Sequence, residues 1–432
     1  MSAGITALRA RRVWDSRGRP TIEVEVTLAD GSVGRAIAPA GASRGTREAI
    51  DLRDGGERLG GMDVQRALRG IAGEIAPALI GWDAGDQAGV DAALVEIDGT
   101  ENKARLGGNA TVAVSLAVLH AAAASAKQPL FRHIAALTGA KPSLPLPEIQ
   151  IFGGGAHAGQ RVDIQDFMIM VPGAESLDEV FEVTAEVYLA AGKILARRGA
   201  LKGVADEGGY WPEFETNEQA LDTLVEAIEA AGEVPGERVI ISLDVAASEF
   251  GRDGRYRLAL DGRDLDADAM IETLGRWIER YPIASIEDPL AEDDMAGLSA
   301  FAAAYGERVQ IIGDDLLVTN AALVEAAAEH DACNALLLKV NQIGTVSEAF
   351  DAWRAAAAHG WPSVVSARSG ETEDISIVHI ATGLGAGQLK VGSFTRSERM
   401  AKWNEALRLA DSGHGLDFVG GRPLAETWWG RR

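Results

Sequence analysis

The sequence has 432 residues, of which 47% are hydrophobic and 24% are charged. Its length exceeds one typical domain, and its composition excludes a mainly disordered chain. The 41 Lys and Arg residues against 64 Asp and Glu residues give a net charge of −23 at pH 7, so we expect no binding to nucleic acid or to an anionic membrane, and an anionic ligand would need a local basic pocket or metal ions.

Targeting and redox features favour a soluble cytoplasmic protein. The opening segment MSAGITALRARRVWDSRG lacks the continuous apolar stretch of a secretory signal. No uninterrupted apolar run approaches about 18 residues, so we expect no membrane span. The single cysteine, Cys333, excludes an internal disulfide and a clustered-thiolate metal site.

The N-terminal part of the chain is predicted to be a small α+β unit. Residues 21–28, TIEVEVTL, alternate apolar and polar side chains and lead through an Ala-Asp-Gly turn into VGRAIAP, which indicates an antiparallel hairpin. From about Val64 to Leu137 the spacing of Ala and Leu is helical. Residues 138–147 carry three prolines, so we place the boundary between two domains, 1–137 and 138–432, at this segment.

Beyond the boundary, short apolar runs each end at or near a polar residue and are followed by helical stretches. Six such residues are Asp244, Glu287, Asp314, Lys339, Arg368 and Lys390. Alternating β and α segments predict a parallel sheet, and about 290 residues of them fit a closed β/α barrel better than the alternative, a doubly wound open sheet. In such barrels the chemistry lies at the C-terminal ends of the strands.

Three carboxylates, Asp244, Glu287 and Asp314, follow three successive predicted strands. Gathered at one barrel mouth, they would repel each other unless a cation neutralised them. Oxygen ligands without His or Cys favour Mg²⁺. The alternative is that each acid only caps the helix that follows it.

Two lysines, Lys339 and Lys390, are expected at the same mouth. A lysine near Mg²⁺ and another cation has its neutral form favoured and could act as a base; the alternative is a surface lysine paired with an acid. The loop DEGG at 206–209 can bring a carboxyl group, of Asp206 or Glu207, against a ligand; the alternative is that it forms only a turn. A base, an acid and a metal together suggest removal of a proton next to a carboxylate, followed by elimination of a β-hydroxyl.

Twelve segments in order along the chain carry a resemblance to the enolase family. They are SRGRPTIEVEV, PAGASRG, REAIDLRDG, GTENKARLGGNA, VDIQDFMI, DEGGY, SLDVAASEF, SIEDPLAEDD, GDDLLVTN, LLLKVNQIG, RSGETED and GQLKVGS. The resemblance implies an α+β domain capping a β/α (TIM-type) barrel with irregular first elements. It also implies a carbon–oxygen lyase with two Mg²⁺ per active site, a small phosphorus-bearing carboxylate as substrate, and a homodimer or higher homo-oligomer.

The resemblance also assigns roles to individual residues. It gives the first Mg²⁺ to Asp244, Glu287 and Asp314, and the second to Ser43 on a mobile loop. It implies four catalytic residues. Lys339 would be the base and Glu207 the acid, with the carboxylate of Asp166 nearby and His157 near the leaving group. It implies that the substrate is bound through its carboxylate, its phosphate and the flanking loops by Lys390, Arg368, Ser369, Gln165 and Ser43. Arg44, which is not part of the family pattern, is expected to bind the substrate as an additional cation on the same loop.

Several positions depart from the family pattern, including the acid loop, where Trp211, Pro212 and Glu213 stand in place of Ala-Pro-Asn. Ala367 replaces a histidine, Asp166 replaces a glutamate, and Gly153 and Ala40 are smaller than the family residues, whereas Arg44 adds a positive charge. The missing methylene at Asp166 withdraws its carboxylate by roughly 1.5 Å, and a displacement of about 1 Å can cost on the order of a hundredfold in rate. The lost volume and the added charge predict a larger and more anionic substrate.

Three functions follow from these matches and departures. The first is a specialised paralogue similar to carboxyphosphonoenolpyruvate synthase of phosphonate pathways. The second is an ordinary enolase that converts 2-phosphoglycerate to phosphoenolpyruvate. The third, a non-catalytic enolase-fold binding protein, predicts loss of the acidic trio or of Lys339, and all four residues are present.

Overall fold

An antiparallel sheet forms the start of the N-terminal unit in the computed structural model, which describes residues 3–432 apart from the side chain of His157. Its three strands are β1 (Ile5–Trp14), β2 (Pro20–Leu28) and β3 (Val33–Ile37), in the order β1-β2-β3. The predicted hairpin is confirmed, because β2 and β3 pair antiparallel. The helices of this unit are α1 (Gln65–Gly70), α2 (Ala76–Leu79), α3 (Gln87–Asp98), α4 (Gly108–Ser125) and α5 (Leu130–Thr138).

Helix α4 is the core of this unit. A Cβ atom at Gly34 of β3 would lie 2.1 Å from the backbone nitrogen of Ala121, so glycine is what allows the sheet to approach the helix. The helix is long and apolar enough to cross a membrane, which the sequence analysis did not expect, but 83% of it is buried inside the protein. A helix that is apolar on every side and packed on every side is typical of a core helix.

Eight strands close into a barrel in the order β10-β11-β12-β13-β14-β4-β5-β6, so the open-sheet alternative is wrong. The strands are β4 (Leu146–Gly153), β5 (Asp166–Met170), β6 (Ile240–Asp244), β10 (Ile283–Glu287), β11 (Gln310–Gly313), β12 (Ala335–Leu338), β13 (Ser363–Ser366) and β14 (Gly387–Ser393). All neighbours pair parallel except β5, which is antiparallel to β4 and to β6. The barrel and its irregular beginning are therefore confirmed.

The barrel is surrounded by helices that connect its strands. They are α6 (Leu177–Arg197), α7 (Asn217–Ala230), α8 (Ala267–Arg280), α9 (Met295–Tyr305), α10 (Ala321–Glu329), α11 (Val340–Ile343), α12 (Val346–Ala358), α13 (Ser376–Leu384) and α14 (Ser397–Ala410). Several begin with side-chain caps, as where Ser176 accepts a hydrogen bond from the backbone N–H of Glu179 at the start of α6. A small sheet of β7 (Gly251–Arg252), β8 (Arg255–Leu258) and β9 (Arg263–Asp266) follows β6 and was not predicted.

The predicted polar residues lie at one rim of the barrel, although not all at strand ends. Asp244 and Glu287 are the last residues of their strands, and they are in register with each other. Lys339 directly follows β12, whereas β14 continues three residues past Lys390. The segment between α5 and β4, residues 139–145, contains most of the predicted linker.

Candidate active site

Two of the predicted metal-binding carboxylates flank a buried lysine. The Nζ atom of Lys390 lies 2.8 Å from Asp244 Oδ2 and 2.7 Å from Glu287 Oε2. All three side chains are at most 6% exposed. Burial opposes the charge of the lysine, but the two carboxylates outweigh it and raise the pKa of Lys390 well above its ordinary value.

The second oxygens of these carboxylates are suited to bind a cation. Asp244 Oδ1 and Glu287 Oε1 are buried, and neither has a hydrogen-bond partner among the described residues. A buried acceptor without a partner is costly, so these oxygens favour a cation that would satisfy both. Burial and the neighbouring charge of Asp244 raise the pKa of Glu287 well above its ordinary value. With oxygen as the only ligand type, this pair fits Mg²⁺.

Asp314, the third predicted ligand, belongs to a further acidic group. Oxygens of Asp288, Asp314 and Asp315 all lie within 4.8 Å of one another. Asp288, to which the sequence analysis gave no role, accepts hydrogen bonds from the backbone N–H groups of Asp314 at 2.9 Å and Asp315 at 2.8 Å. It therefore fixes the turn that presents Asp314 to the site.

Lys339 is buried against Asp314, with 2.5 Å between its Nζ and Oδ2. Its backbone N–H donates to Thr319 Oγ1 at 2.9 Å, which holds the start of α11. Burial favours the neutral amine, but the carboxylates of Asp314 and Glu287 outweigh it, and the pKa of Lys339 is raised. This shift reflects the protein groups alone. The expectation that a bound Mg²⁺ and a neighbouring cation favour the neutral amine stays a prediction, and the charges of Arg368 and Lys390 already act in that direction.

Arg368 is held by a residue of the N-terminal unit that the sequence analysis missed. Its guanidinium donates to both carboxylate oxygens of Glu48, at 3.0 and 3.1 Å, and to the carbonyl oxygen of Ser43 at 3.0 Å. A Cβ atom at Gly41 would lie 2.0 Å from Arg368 Nη2, so glycine lets the loop close on the arginine. Glu48 lies within REAIDLRDG, one of the twelve segments that carry the resemblance, but no local pattern pointed to its distant partner.

Asp166 and Gln165 extend the polar network across β5 and β6. Gln165 Nε2 donates to Asp244 Oδ2 at 3.0 Å. Asp166 Oδ1 accepts a hydrogen bond from Gln150 Nε2, and its other oxygen lies 3.7 Å from Lys390 Nζ. Gln150 is a second residue that the sequence analysis missed.

Most of the predicted residues line one small cavity of about 20 Å³, enough for roughly one water molecule. The predicted residues around it are Ser43, Gln165, Asp166, Glu207, Asp244, Lys339, Arg368, Ser369 and Lys390. Glu287 and Asp314 join this set through the two lysines. Arg44 is exposed and does not line the cavity, and the side chain of His157 lies outside the described residues.

The prediction that four small residues enlarge one pocket is only partly right. Ala367 and Asp166 line the cavity. At Gly153, however, a Cβ atom would lie 2.6 Å from Ala205 Cβ, so that space is already filled. Ala40 instead pairs with Gly370 through backbone hydrogen bonds of 2.9 and 2.8 Å. Neither Gly153 nor Ala40 lines the cavity, so the volume lost at these two positions is not added to it.

Comparison with protein-family models gives two matches that together span most of the chain. Residues 5–134 match the enolase N-terminal domain. Residues 141–422 match the enolase C-terminal TIM barrel domain. The two matches agree with the small sheet unit and the closed barrel described above.

Proposed function

Because the chain belongs to the enolase family, we propose that it is a Mg²⁺-dependent carbon–oxygen lyase that removes the proton α to a carboxylate and eliminates a β-hydroxyl. The observation that carries the proposal is one cavity lined by an amine, Lys339, and an acid, Glu207, beside Asp244. This set combines a proton acceptor, a proton donor and metal-binding oxygens within one buried space.

The proposed reaction divides the work among the residues of this cavity. Lys339 takes the α-proton, and Glu207 protonates the β-hydroxyl as its bond to carbon breaks, so that water leaves. Asp166 and His157 are proposed to support this acid. When bound, Mg²⁺ would stabilise the negative charge that develops on the substrate carboxylate. Asp244, Glu287 and Asp314 would hold the first ion, and Ser43 the second.

Substrate binding is proposed to use the cationic side of the cavity. Lys390 would hold the carboxylate, Arg368 and Ser369 the phosphorus-bearing group, with Gln165 beside them. Both charges are already buried and paired with acids, so a doubly anionic ligand could replace those partners without leaving a buried cation unpaired. Arg44, on the exposed part of the loop that carries Ser43, would add to the attraction for an anion.

We further propose that the substrate is a larger phosphate or phosphonate relative of 2-phosphoglycerate, as for a protein similar to carboxyphosphonoenolpyruvate synthase. Ala367 supports this, because it lies in the cavity wall beside Arg368. The filled space at Gly153 favours the second candidate, ordinary 2-phosphoglycerate. We also propose that the protein is cytoplasmic and forms a homodimer or a higher homo-oligomer. Light scattering would test the oligomeric state.

Supplying 2-phosphoglycerate with Mg²⁺ and following phosphoenolpyruvate separates the two candidates. Slow or absent turnover, together with metal-dependent exchange of the α-proton in D₂O, supports the specialised enzyme, whereas rapid turnover supports the ordinary one. If the protein showed neither phosphoenolpyruvate formation nor α-proton exchange, that result would contradict lyase function on such a substrate. Ala367→His should raise the rate of phosphoenolpyruvate formation, with Ala367→Leu as a control for side-chain volume alone. Equal rates in the two variants would contradict the proposal that residue 367 determines which substrate is turned over.

A further inference from the structure

Gln150 connects two parts of the cavity that are far apart in the sequence. It lies in β4, and none of its surface is exposed. Its Oε1 atom accepts the backbone N–H of Gly209 at 2.8 Å, and its Nε2 atom donates to Asp166 Oδ1. One amide therefore joins a carboxylate on β5 to the loop that carries Glu207.

The surroundings of this amide leave little freedom in its position or orientation. A Cβ atom at Gly209 would lie 2.4 Å from Gln150 Oε1, and one at Gly153 would lie 3.2 Å from its Nε2. Both glycines thus allow backbone to pack directly on the amide. Because the N–H of Gly209 can only donate, Oε1 must face it, and Nε2 then faces the carboxylate.

We propose that Gln150 is a positioning residue that fixes Asp166 relative to the loop of Glu207. The side chain of Asp166 is short, and Gln150 reaches it across the space between β4 and β5, so the pair together spans this distance. The catalytic consequence rests on the proposed function, since Glu207 is the proton donor there. A displacement of about 1 Å in such a group can cost on the order of a hundredfold in rate.

The first test removes both hydrogen bonds while keeping the side-chain length, with Gln150→Met. Hydrogen–deuterium exchange of the peptide that contains Gly209 should become at least about fivefold faster, since a hydrogen bond of this kind contributes about 1 kcal/mol. The matched control is Gln388→Met. Gln388 is also fully buried in the barrel and donates to Gln310 Oε1 at 3.0 Å, away from this loop. Unchanged exchange in Gln150→Met would overturn the proposal.

The second readout is catalytic and uses 2-phosphoglycerate with Mg²⁺ as the probe. In Gln150→Met, kcat for α-proton exchange or phosphoenolpyruvate formation should fall about a hundredfold with a smaller change in KM. Gln388→Met should leave kcat within a few-fold of the parent. An equal fall in kcat in both variants would show that Gln150 has only a structural role and would overturn the proposal. Absence of any activity in the parent would instead contradict the proposed function, while the exchange measurement still decides on Gln150.

A length exchange tests the contact itself. Gln150→Asn shortens one side chain by a methylene and Asp166→Glu lengthens its partner, so each single variant should lower the melting temperature, and the double variant should recover much of the loss. Coupling of this kind indicates direct contact. Losses that simply add in the double variant would overturn the inference that the two side chains span the gap together.

Discussion

Removal of the negative charge at Glu48 should destabilise the junction between the N-terminal unit and the barrel. Both carboxylate oxygens of Glu48 accept hydrogen bonds from Arg368, and the two side chains are 5% and 2% exposed. Burial opposes the charge on the guanidinium, but Glu48 outweighs it and raises the pKa of Arg368. Glu48→Gln keeps the volume of the side chain and leaves Arg368 as a buried cation without its counter-charge.

The expected cost follows from the burial of this pair. Removal of one partner of a buried ion pair costs about 3–5 kcal/mol, and the lower end applies because the amide oxygen of glutamine still accepts one N–H. The entropy of unfolding is about 2.1 cal/mol/K per residue, or roughly 0.9 kcal/mol/K for a chain of this length. A loss of about 3 kcal/mol therefore corresponds to a fall of roughly 3 °C in the melting temperature.

Differential scanning calorimetry measures this change directly. The matched control is Glu226→Gln, which removes the charge of a glutamate paired with Arg198 where both side chains are about 40% exposed. That pair should contribute less than about 1 kcal/mol, so the control should melt within roughly 1 °C of the parent. If Glu48→Gln melts no lower than the control, the reasoning from burial is wrong.

Three further predictions concern the proposed base Lys339, the thiol of Cys333 and the buried acid Asp91. Lys339→Met should reduce deuterium incorporation at the α-carbon of 2-phosphoglycerate by about 10²–10⁴-fold; a rate within tenfold of the parent would exclude Lys339 as the base. Cys333 is 5% exposed and burial raises the pKa of its thiol, so it should react with a colorimetric disulfide reagent only after denaturation, and rapid labelling of the native protein would contradict this. Burial raises the pKa of Asp91 above its value in the unfolded chain, about 4. Between those two pKa values the folded state binds more of this proton, so the contribution of Asp91 to the free energy of unfolding should fall as pH rises. In urea titrations at pH 4.5 and 6.5, Asp91→Asn should show a smaller pH-dependent difference in the free energy of unfolding than the parent. An equal difference in the two proteins would contradict this prediction.

The barrel could be predicted because its signal is local. Strands such as β6 and β10 are short apolar runs that end in an acid, and parallel strands in register bring such ends together. The sheet of β7, β8 and β9 has no such run, since its strands are two to four residues long and rich in charge. Periodicity therefore gave no indication of it.

The residues that support the site could not be predicted, because their partners are distant along the chain. Gln150 contacts positions 16 and 59 residues away, and Glu48 contacts one that is 320 residues away. The same limit explains the error at Gly153. A missing side chain appears as lost volume in the sequence, whereas the structure fills that volume with Ala205 from another segment.

The position of Arg368 and Ser369, the proposed phosphate-binding residues, depends on both units of the chain. Arg368 is oriented by Glu48, and Ser369 Oγ accepts a hydrogen bond from Arg17 Nη1 at 3.2 Å, so the N-terminal unit contacts two successive residues of the proposed anion site. Neither contact is available to a barrel alone, and both involve side chains that are almost fully buried. In an isolated barrel the guanidinium of Arg368 would keep its hydrogen bond to Asn341 Oδ1 at 3.1 Å but lose those to Glu48 and Ser43. We therefore expect anion binding to weaken even while Asp244, Glu287 and Asp314 stay in place. The N-terminal unit is therefore expected to form part of the proposed anion site. Substitutions where it contacts the barrel should alter KM for an anionic substrate as well as stability.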